Sequence, residues 1–247
     1  MIRLADIATK PPKDAEKETT KAKTAELLEK LLELQKKLYA QAEYSLLVVL
    51  QGLDASGKDG AINHVFSGLN LLGVQVVAFK APTEEEKSHD FLWRIHRWAP
   101  ANGMINIFNR SHYEDVLVPR VEKWVKGEEV KKRYKHINHF EQLLADHNTV
   151  LVKCYLHVSE EEQLERLRER TENPEKFWKH SDKDMEVVAK REEYLEAYED
   201  TFKHCADVFP WHIIPADKNW YKTYSIAKVV VEALEKLPLA YPTLKTD

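Results

Sequence analysis

The sequence has little cysteine and no long apolar run, and both features narrow the class of protein. Cys154 and Cys205 are the only cysteines among 247 residues, too few for a disulfide framework, so we expect both to be reduced and in or near the core. No stretch of about 18 apolar residues occurs, so the sequence predicts no transmembrane helix. Residues 1–17 are mixed and charged without a signal region, which favours a cytoplasmic location.

The chain also lacks an excess of positive charge. It has 37 basic and 41 acidic residues and a net charge of −4, so its overall field does not attract nucleic acid. Any long anion would have to bind at local basic clusters. With 43% hydrophobic residues, the chain is suited to one globular α/β domain with a sizeable core. We therefore expect neither nucleic acid nor a membrane as a partner.

Five short β-type runs alternate with helical segments along the chain. Strands are predicted at residues 46–50, 75–79, 104–108, 150–157 and 212–214. Helices are predicted at residues 58–72, 84–99, 111–147 with a break near Gly127, 159–172, 182–204 and 219–237. This alternation predicts a parallel sheet with helices on both faces and ligands beyond the carboxyl ends of the strands.

A single domain is predicted over residues 14–240, between a flexible arm at 1–13 and a tail at 241–247. Residues 14–42 are predicted to form a long charged helix with one apolar stripe, formed by Leu27, Leu28, Leu31, Leu34 and Leu38. The stripe packs either on its own domain or on a second copy of the chain. The second interpretation leads us to expect a homo-oligomer, a dimer or a tetramer.

The most informative motif follows the first predicted strand. Gly52, Gly57 and Lys58 have the G-x-x-x-x-G-K spacing of a phosphate-binding loop, after a strand and before a helix, as that motif requires. Such a loop points backbone N–H groups inward, and its lysine adds a mobile charge for the terminal phosphates. The residues predicted to bind phosphate in this segment are Gly52, Ala55, Ser56, Gly57, Lys58, Asp59 and Gly60.

Two carboxylates make this motif unusual. Asp59 stands where a hydroxyl that binds magnesium is usual, and Asp54 lies inside the loop. A carboxylate beside a bound polyanion repels it unless the carboxylate holds a metal ion or accepts a proton. We therefore predict metal or base chemistry for Asp54, with a turn cap as the alternative. For Asp59 the binding interpretation and the helix-cap interpretation both stay open.

Polar residues at the end of the third predicted strand are expected beside the loop. Arg110 is predicted to reach a transferring phosphoryl group with its fork of donors. Asn109 stands where many phosphate-loop kinases place a carboxylate that orients magnesium, and Glu114 is a candidate contact for the acceptor or its metal. Ser111 is either a further phosphate contact or a cap of the next helix.

A first basic segment is predicted at residues 87–97. A single helix there would present a positive face to phosphate, with Arg94 and His89 on it and Lys80 just before it. The alternative is an exposed basic face that is only solvated.

A second basic segment is predicted to form a lid over residues 160–190. Arg166 and Arg170 share one helix face there, and Lys176 follows. Such a lid would close over the donor, neutralise charge and exclude water. The alternative is an ordinary helix with ion pairs four residues apart.

Together these motifs resemble the polyphosphate kinase 2 family. The resemblance extends from about residue 20 to the end of the chain, and Glu114 is most similar to the class III branch. The segments that carry it are Gly52–Gly60, Phe108–Asp115, Asn173–Lys176 and Ile214–Trp220.

The resemblance implies a three-layer phosphate-loop kinase fold with a five-stranded parallel sheet and a helical lid. It implies that the terminal phosphoryl group of inorganic polyphosphate passes to AMP or ADP, with GMP and GDP as further acceptors. Mg²⁺ is the implied cofactor, with Mn²⁺ as a substitute, held by Asp54 and, as a second candidate, by Glu114. The implied catalytic residues are Asp54, Lys58, Arg110, Arg166 and Arg170. The alternatives are an ATP-dependent nucleoside monophosphate kinase and an inactive binding protein.

The sequence departs from the family pattern at two points. Many relatives carry aspartate where this chain has Asn109. A basic residue expected after Asp184 is also missing, because residues 187–189 are Val-Val-Ala. Lys190 or Arg191 would then supply that lid contact.

Overall fold

The computed structural model describes residues 2–182 and 184–244. Met1, Lys183 and residues 245–247, which belong to the predicted arm, lid and tail, lie outside the described residues. Five strands form one parallel sheet in the order β2-β3-β1-β4-β5. The strands are β1 (Ser45–Gln51), β2 (Val74–Ala78), β3 (Ile105–Asn109), β4 (Thr149–His157) and β5 (Trp211–Pro215). The predicted parallel five-stranded sheet is thereby confirmed.

One helix precedes the first strand, and the others connect the strands or follow the last one. They are α1 (Lys17–Gln41), α2 (Lys58–Phe66), α3 (Glu84–Ser88), α4 (Trp93–His96), α5 (Glu114–Val121), α6 (Gly127–Asp146), α7 (Glu160–Glu172), α8 (Asp184–Ala189), α9 (Arg191–His204) and α10 (Asn219–Glu235). A 3₁₀ segment, Pro174–Lys179, joins α7 to the residues before α8. The predicted lid is therefore helical through most of its length.

Both faces of the sheet are buried, as the central strand shows. Leu46 and Val48 of β1 belong to one apolar cluster, while Leu47 and Val49 belong to the other. Side chains alternate between the faces of a strand, so this apolar run requires a cover on each side. Helices α1, α2 and α10 cover the first face, and α5, α6 and α9 cover the second. The predicted three-layer architecture follows from this burial.

The leucine stripe of α1 packs inside its own chain. Leu31 and Leu38 are fully buried, and Leu34 is nearly so, in the cluster that includes residues of α10. The interpretation that packs the stripe on its own domain is the one observed. The stripe is filled by the core and therefore gives no support to an oligomer.

Residues 4–9 are bound to the domain, whereas the sequence predicted a flexible arm over residues 1–13. Leu4 is 1% exposed, and its N–H donates to Glu199 at 2.7 Å. The ring of His157 lies 3.1 Å from the Leu4 carbonyl, and the Thr9 hydroxyl donates to Asp217 at 2.8 Å. A buried leucine and these polar pairs fix the segment beside the carboxyl ends of β4 and β5.

The single helix predicted over residues 84–99 is wrong. Two short helices, α3 and α4, occupy that segment, and the turn between them is formed by Asp90. The Asp90 carboxylate accepts from the N–H of Leu92 at 3.0 Å, and its carbonyl accepts from Trp93 at 3.1 Å. Aspartate competes with helix continuation in this way. The continuous basic face predicted for residues 87–97 therefore does not exist.

Both cysteines are buried as free thiols, as predicted. Burial raises the pKa of Cys154 to about 12, which keeps this thiol protonated and unreactive. Among the helices in the described ranges, none has the length and apolar character needed to cross a bilayer.

A buried ion pair links β4 to α6. Lys153 is fully buried and Glu141 is 1% exposed, with 2.7 Å between the ammonium and the carboxylate. The ammonium also donates to the Cys205 carbonyl at 2.7 Å, and the Tyr113 hydroxyl donates to Glu141 at 2.5 Å. These bonds satisfy both charges in a region that water does not reach.

Substituting Lys153→Met should lower the free energy of unfolding by about 3–5 kcal/mol, because the Glu141 charge would stay buried without its partner. Urea denaturation of the purified protein measures this loss. Arg168→Met is the matched control, since its pair with Glu165 is exposed and should contribute less than about 1 kcal/mol. A Lys153→Met protein as stable as the control would contradict the assigned role of the pair.

Candidate active site

Residues 52–57, called the glycine loop below, connect β1 to α2. Gly52 has φ +152° and Gly57 has φ +87°, values that side chains rarely allow. A Cβ at Gly52 would lie 2.7 Å from the Ser56 hydroxyl and 2.9 Å from the Leu156 carbonyl. Glycine is therefore required at residue 52 for a tight turn at the carboxyl edge of the sheet.

Lys58 folds back over the glycine loop. Its ammonium donates to the Gly52 carbonyl at 2.7 Å and to the Leu53 carbonyl at 3.1 Å, and the side chain is nearly buried. Burial lowers the pKa of Lys58 to about 8, and the charge of Arg110 adds to this effect while Asp54 opposes it. A bound anion would favour the protonated form, so the position suits a phosphate group.

Arg110 joins the end of β3 to the loop. Its backbone has φ +63°, and its N–H donates to the Leu50 carbonyl at 3.0 Å, so the chain turns sharply as β3 ends. The guanidinium lies 2.5 Å from Asp54 and 3.6 Å from Glu114. The structure thus brings together three of the residues that the sequence predicted to form the site.

Asp59 connects α2 to the predicted lid. Its carboxylate accepts from Asn109 and from Lys179, each at 2.8 Å. Burial alone favours the neutral acid, but these two hydrogen bonds outweigh it and hold the pKa of Asp59 below its usual value. Asn109 acts here as a donor to a carboxylate. Lys179 lies 120 residues along the chain from Asp59, which is why local spacing could not reveal the pair.

Helix α7 is fastened to the glycine loop by polar contacts. Arg166 donates to the carbonyls of Ala55 at 3.1 Å and Ala216 at 2.7 Å, and it pairs with Glu162 at 3.0 Å. The Gln163 amide donates to the Asp54 carbonyl at 3.0 Å. In this arrangement Arg166 braces the loop, and its predicted contact with a transferring phosphoryl group stays a prediction.

Other predicted lid residues have partners within the lid or nearby. One of the contacts of Arg170 is a hydrogen bond to the Lys179 carbonyl at 3.2 Å. Lys176 pairs with Glu169 at 2.5 Å. Lys190 pairs with Glu122 at 2.5 Å. Arg191 is buried and donates to the Val158 carbonyl and to Gln163. Neither Lys190 nor Arg191 is directed at the loop, because each is held by these nearer partners.

Several predicted binding residues lie outside the cluster around Lys58. Ser111 is fully buried, and its hydroxyl accepts from the Tyr113 N–H at 3.2 Å in the turn before α5, whose N-terminal cap position is Tyr113. Arg94 is 4% exposed and is held by the Lys80 carbonyl at 2.9 Å and by Asp115 at 3.1 Å. These partners fix the position of Arg94, and its predicted contact with phosphate stays a prediction.

A cavity of about 760 Å³ lies between residues 82–96 and helix α6. Arg94 and His89 line it, and the His89 ring stacks on Trp93 with 4.1 Å between the ring centroids. The volume falls in the range usual for small-molecule sites.

Gly60 lies in α2 beyond the loop, with its carbonyl 2.5 Å from the His64 ring.

Lys222 was missed by the sequence analysis. It is 2% exposed, and its ammonium donates to the Gly57 carbonyl at 3.1 Å. The available signal was a lysine on the buried stripe of α10, in register with Ile226 and Val230 at four-residue spacing. A charged residue at such a position needs a specific reason.

The carboxylates around Arg110 form a donor set that fits a hard divalent cation. Within the described part of the chain, no three His, Cys, Asp or Glu side chains are grouped to hold a metal ion by themselves. Magnesium commonly binds one or two carboxylates and completes its shell with water and substrate phosphates. The partly exposed Asp54 and Glu114 meet that requirement.

The fold and this site define a kinase-type transferase, in which a glycine loop, a lysine and an arginine meet at the carboxyl edge of a parallel sheet. The comparisons agree. The family model described as polyphosphate kinase 2 matches residues 14–240. An AMP/ADP-polyphosphate phosphotransferase of Meiothermus ruber is 48% identical over 220 residues, which cover 89% of this chain and 81% of that protein.

Two further comparisons extend the similarity. An ADP-polyphosphate phosphotransferase of Rhodopseudomonas palustris is 39% identical over 228 residues, covering 87% of this chain and 79% of that protein. The crystal structure of polyphosphate kinase 2 from Arthrobacter aurescens TC1 matches with a TM-score of 0.96 and 40% identity, over 100% of this chain and 89% of that one. The chain belongs to the polyphosphate kinase 2 family, and membership implies a divalent metal cofactor.

Substituting Lys58→Ala or Asp54→Asn should lower the rate of phosphoryl transfer at least about 10²-fold, because each removes a charge that we expect at the reacting phosphates. Steady-state kinetics on the purified variants measure the loss. Lys131→Ala, an exposed lysine of α6, is the matched control and should leave the rate unchanged. Near-normal turnover in Lys58→Ala would remove that residue from the site.

Proposed function

We propose that the protein transfers the terminal phosphoryl group of inorganic polyphosphate to AMP and ADP, forming ADP and ATP. The observation that carries the proposal is the cluster of Lys58, Arg110 and Asp54 at the glycine loop, in a chain 48% identical to a protein named for this activity. GMP and GDP are proposed as further acceptors. A cytoplasmic location and the absence of nucleic-acid and membrane partners stay predictions.

In the proposed reaction, an oxygen of the acceptor's terminal phosphate attacks the last phosphorus of the polyphosphate chain. The new P–O bond forms as the bond to the next bridging oxygen breaks, and that oxygen keeps the electron pair on the shortened chain. N–H groups of the glycine loop and the Lys58 ammonium hold the phosphates in line. Arg110 spreads the charge that develops on the equatorial oxygens.

Magnesium is the proposed divalent ion, with manganese as a substitute. Asp54 would hold it, and Glu114 is the second candidate ligand. Both carboxylates lie at Arg110, so a metal ion there would offset the repulsion between them and the substrate phosphates. When bound, the ion would neutralise phosphate charge and orient the phosphates for transfer.

Purified protein supplied with magnesium and long-chain polyphosphate should form ATP from AMP and from ADP. A coupled luminescence assay measures this. ATP formed from both acceptors supports the proposal, whereas ATP formed from ADP alone rejects AMP as an acceptor. Activity with ATP and AMP, and none with polyphosphate, would select an ATP-dependent nucleoside monophosphate kinase. Tight polyphosphate binding without transfer would select a binding protein.

We also propose that the chain forms a dimer or tetramer, and that a second copy covers the free edge of β2. Within the described residues, β2 pairs only with β3, so its other edge is open. Residues 71–79 contain no charge and no proline, the usual protections of an edge strand. Leu71, Leu72 and Val76 are 79%, 73% and 51% exposed there. An identical edge is a suitable partner for such a strand.

The proposed interface predicts that Val76→Lys converts the assembly to monomers, because two charges would then face each other across paired edges. Sedimentation velocity measures the state of the wild type and of the variant. Trp124→Lys, which charges another exposed apolar residue, should leave the assembly unchanged. A monomeric wild type, or an assembly that Val76→Lys leaves intact, would contradict this interface.

A further inference from the structure

The ammonium of Lys222 lies in the interior beside the glycine loop with polar but uncharged partners. It donates to the Gly57 carbonyl at 3.1 Å and to the Asn219 side chain at 2.9 Å. Within the described residues, no carboxylate forms an ion pair with it, although the side chain is only 2% exposed. An ammonium has three N–H donors, so one is left for a further acceptor.

The surroundings of this ammonium are positive. Burial lowers the pKa of Lys222 to about 7, and the charges of Arg166 and Lys58 act in the same direction, while the carboxylates of Glu162 and Asp59 oppose them. If this residue had only a structural role, an apolar side chain would stabilise the fold better than a buried charge. Its neighbours on the same helix face, Ile226 and Val230, are apolar and buried in the core. The arrangement therefore indicates an anion that binds beside Lys222.

Gly57 is the loop residue that contacts the Lys222 ammonium. A Cβ at Gly57 would overlap the Lys222 ammonium and would lie 3.4 Å from an Arg166 nitrogen. The space beside this glycine is thus shared by two cationic groups. Helix α2 begins immediately after Gly57, and α10 begins at Asn219, so the N-terminal ends of two helices also face the same region.

We propose that Lys222 is a phosphate-binding residue, whose ammonium contacts a phosphate of the polyphosphate donor on the side of the glycine loop that faces α10. The proposal rests on the proposed function for the identity of the donor. Lys58 and Lys222 would then hold different phosphates of one chain, with Gly57 between them. A linear polyanion requires such a succession of cations, whereas a single phosphate group would not.

Isothermal titration of the nucleotide-free protein with tripolyphosphate tests this contact directly. Lys222→Met should weaken binding at least about tenfold, because a charge-assisted hydrogen bond is lost, and Lys222→Arg should retain part of the affinity. Lys228→Met is the matched control on the same helix, since Lys228 is 51% exposed and pairs with the exposed Glu232. Circular dichroism melting checks that each variant is folded.

Steady-state kinetics show whether Lys222 contacts the polyphosphate donor or the phosphate of the nucleotide acceptor. A contact with the donor predicts that Lys222→Met raises KM for polyphosphate and leaves KM for AMP and ADP unchanged. A raised KM for the nucleotide alone would overturn the assignment to the donor. Unchanged tripolyphosphate affinity in a folded Lys222→Met protein would overturn it as well.

The titration also separates this proposal from the proposed function. If the wild type forms no ATP from polyphosphate, the function fails, yet the tripolyphosphate titrations of wild type and Lys222→Met still decide whether Lys222 binds phosphate. A wild type that does not bind tripolyphosphate would overturn the Lys222 contact itself.

Discussion

Positive charge is concentrated around one short loop, and the surrounding structure is arranged to hold it there. Lys58, Arg110, Arg166 and Lys222 all contact the glycine loop or its flanking residues. Cations placed this close repel one another, and burial increases the free-energy cost of keeping them charged. Loop carbonyls and the carboxylate of Asp54 offset part of that repulsion. The site is therefore prepared for a polyanion, although the net charge of the chain is −4.

The sheet explains why these groups meet. In the order β2-β3-β1-β4-β5, the strand before the glycine loop lies between β3 and β4. The carboxyl end of β3 delivers Arg110, and the segment after β4 delivers Arg166 on α7. Ligand sites in open parallel sheets form where the strand order reverses around such a central strand. The rigid, doubly covered sheet thus positions side chains that are distant in sequence.

Local signals in the sequence were sufficient for the loop and the strands. The glycines at residues 52 and 57 satisfy backbone angles that their own positions require, and apolar runs made the strands visible. The prediction of one helix over residues 84–99 was wrong because Asp90 accepts hydrogen bonds from nearby N–H groups and interrupts the helix between α3 and α4. The sequence placed Arg94 on a basic helix face, but folding put it 3.1 Å from Asp115, 21 residues along the chain.

The sequence by itself determined the parallel α/β class, the glycine loop and the resemblance to one family, because each depends on residues that are neighbours in the chain. Only the tertiary structure decided that Lys179 pairs with Asp59, that Arg166 braces the loop and that Lys222 lies beside Gly57. Those contacts join segments between 111 and 165 residues apart. Spacing along the chain has no information about such pairs, since packing of whole helices against the sheet sets their distances.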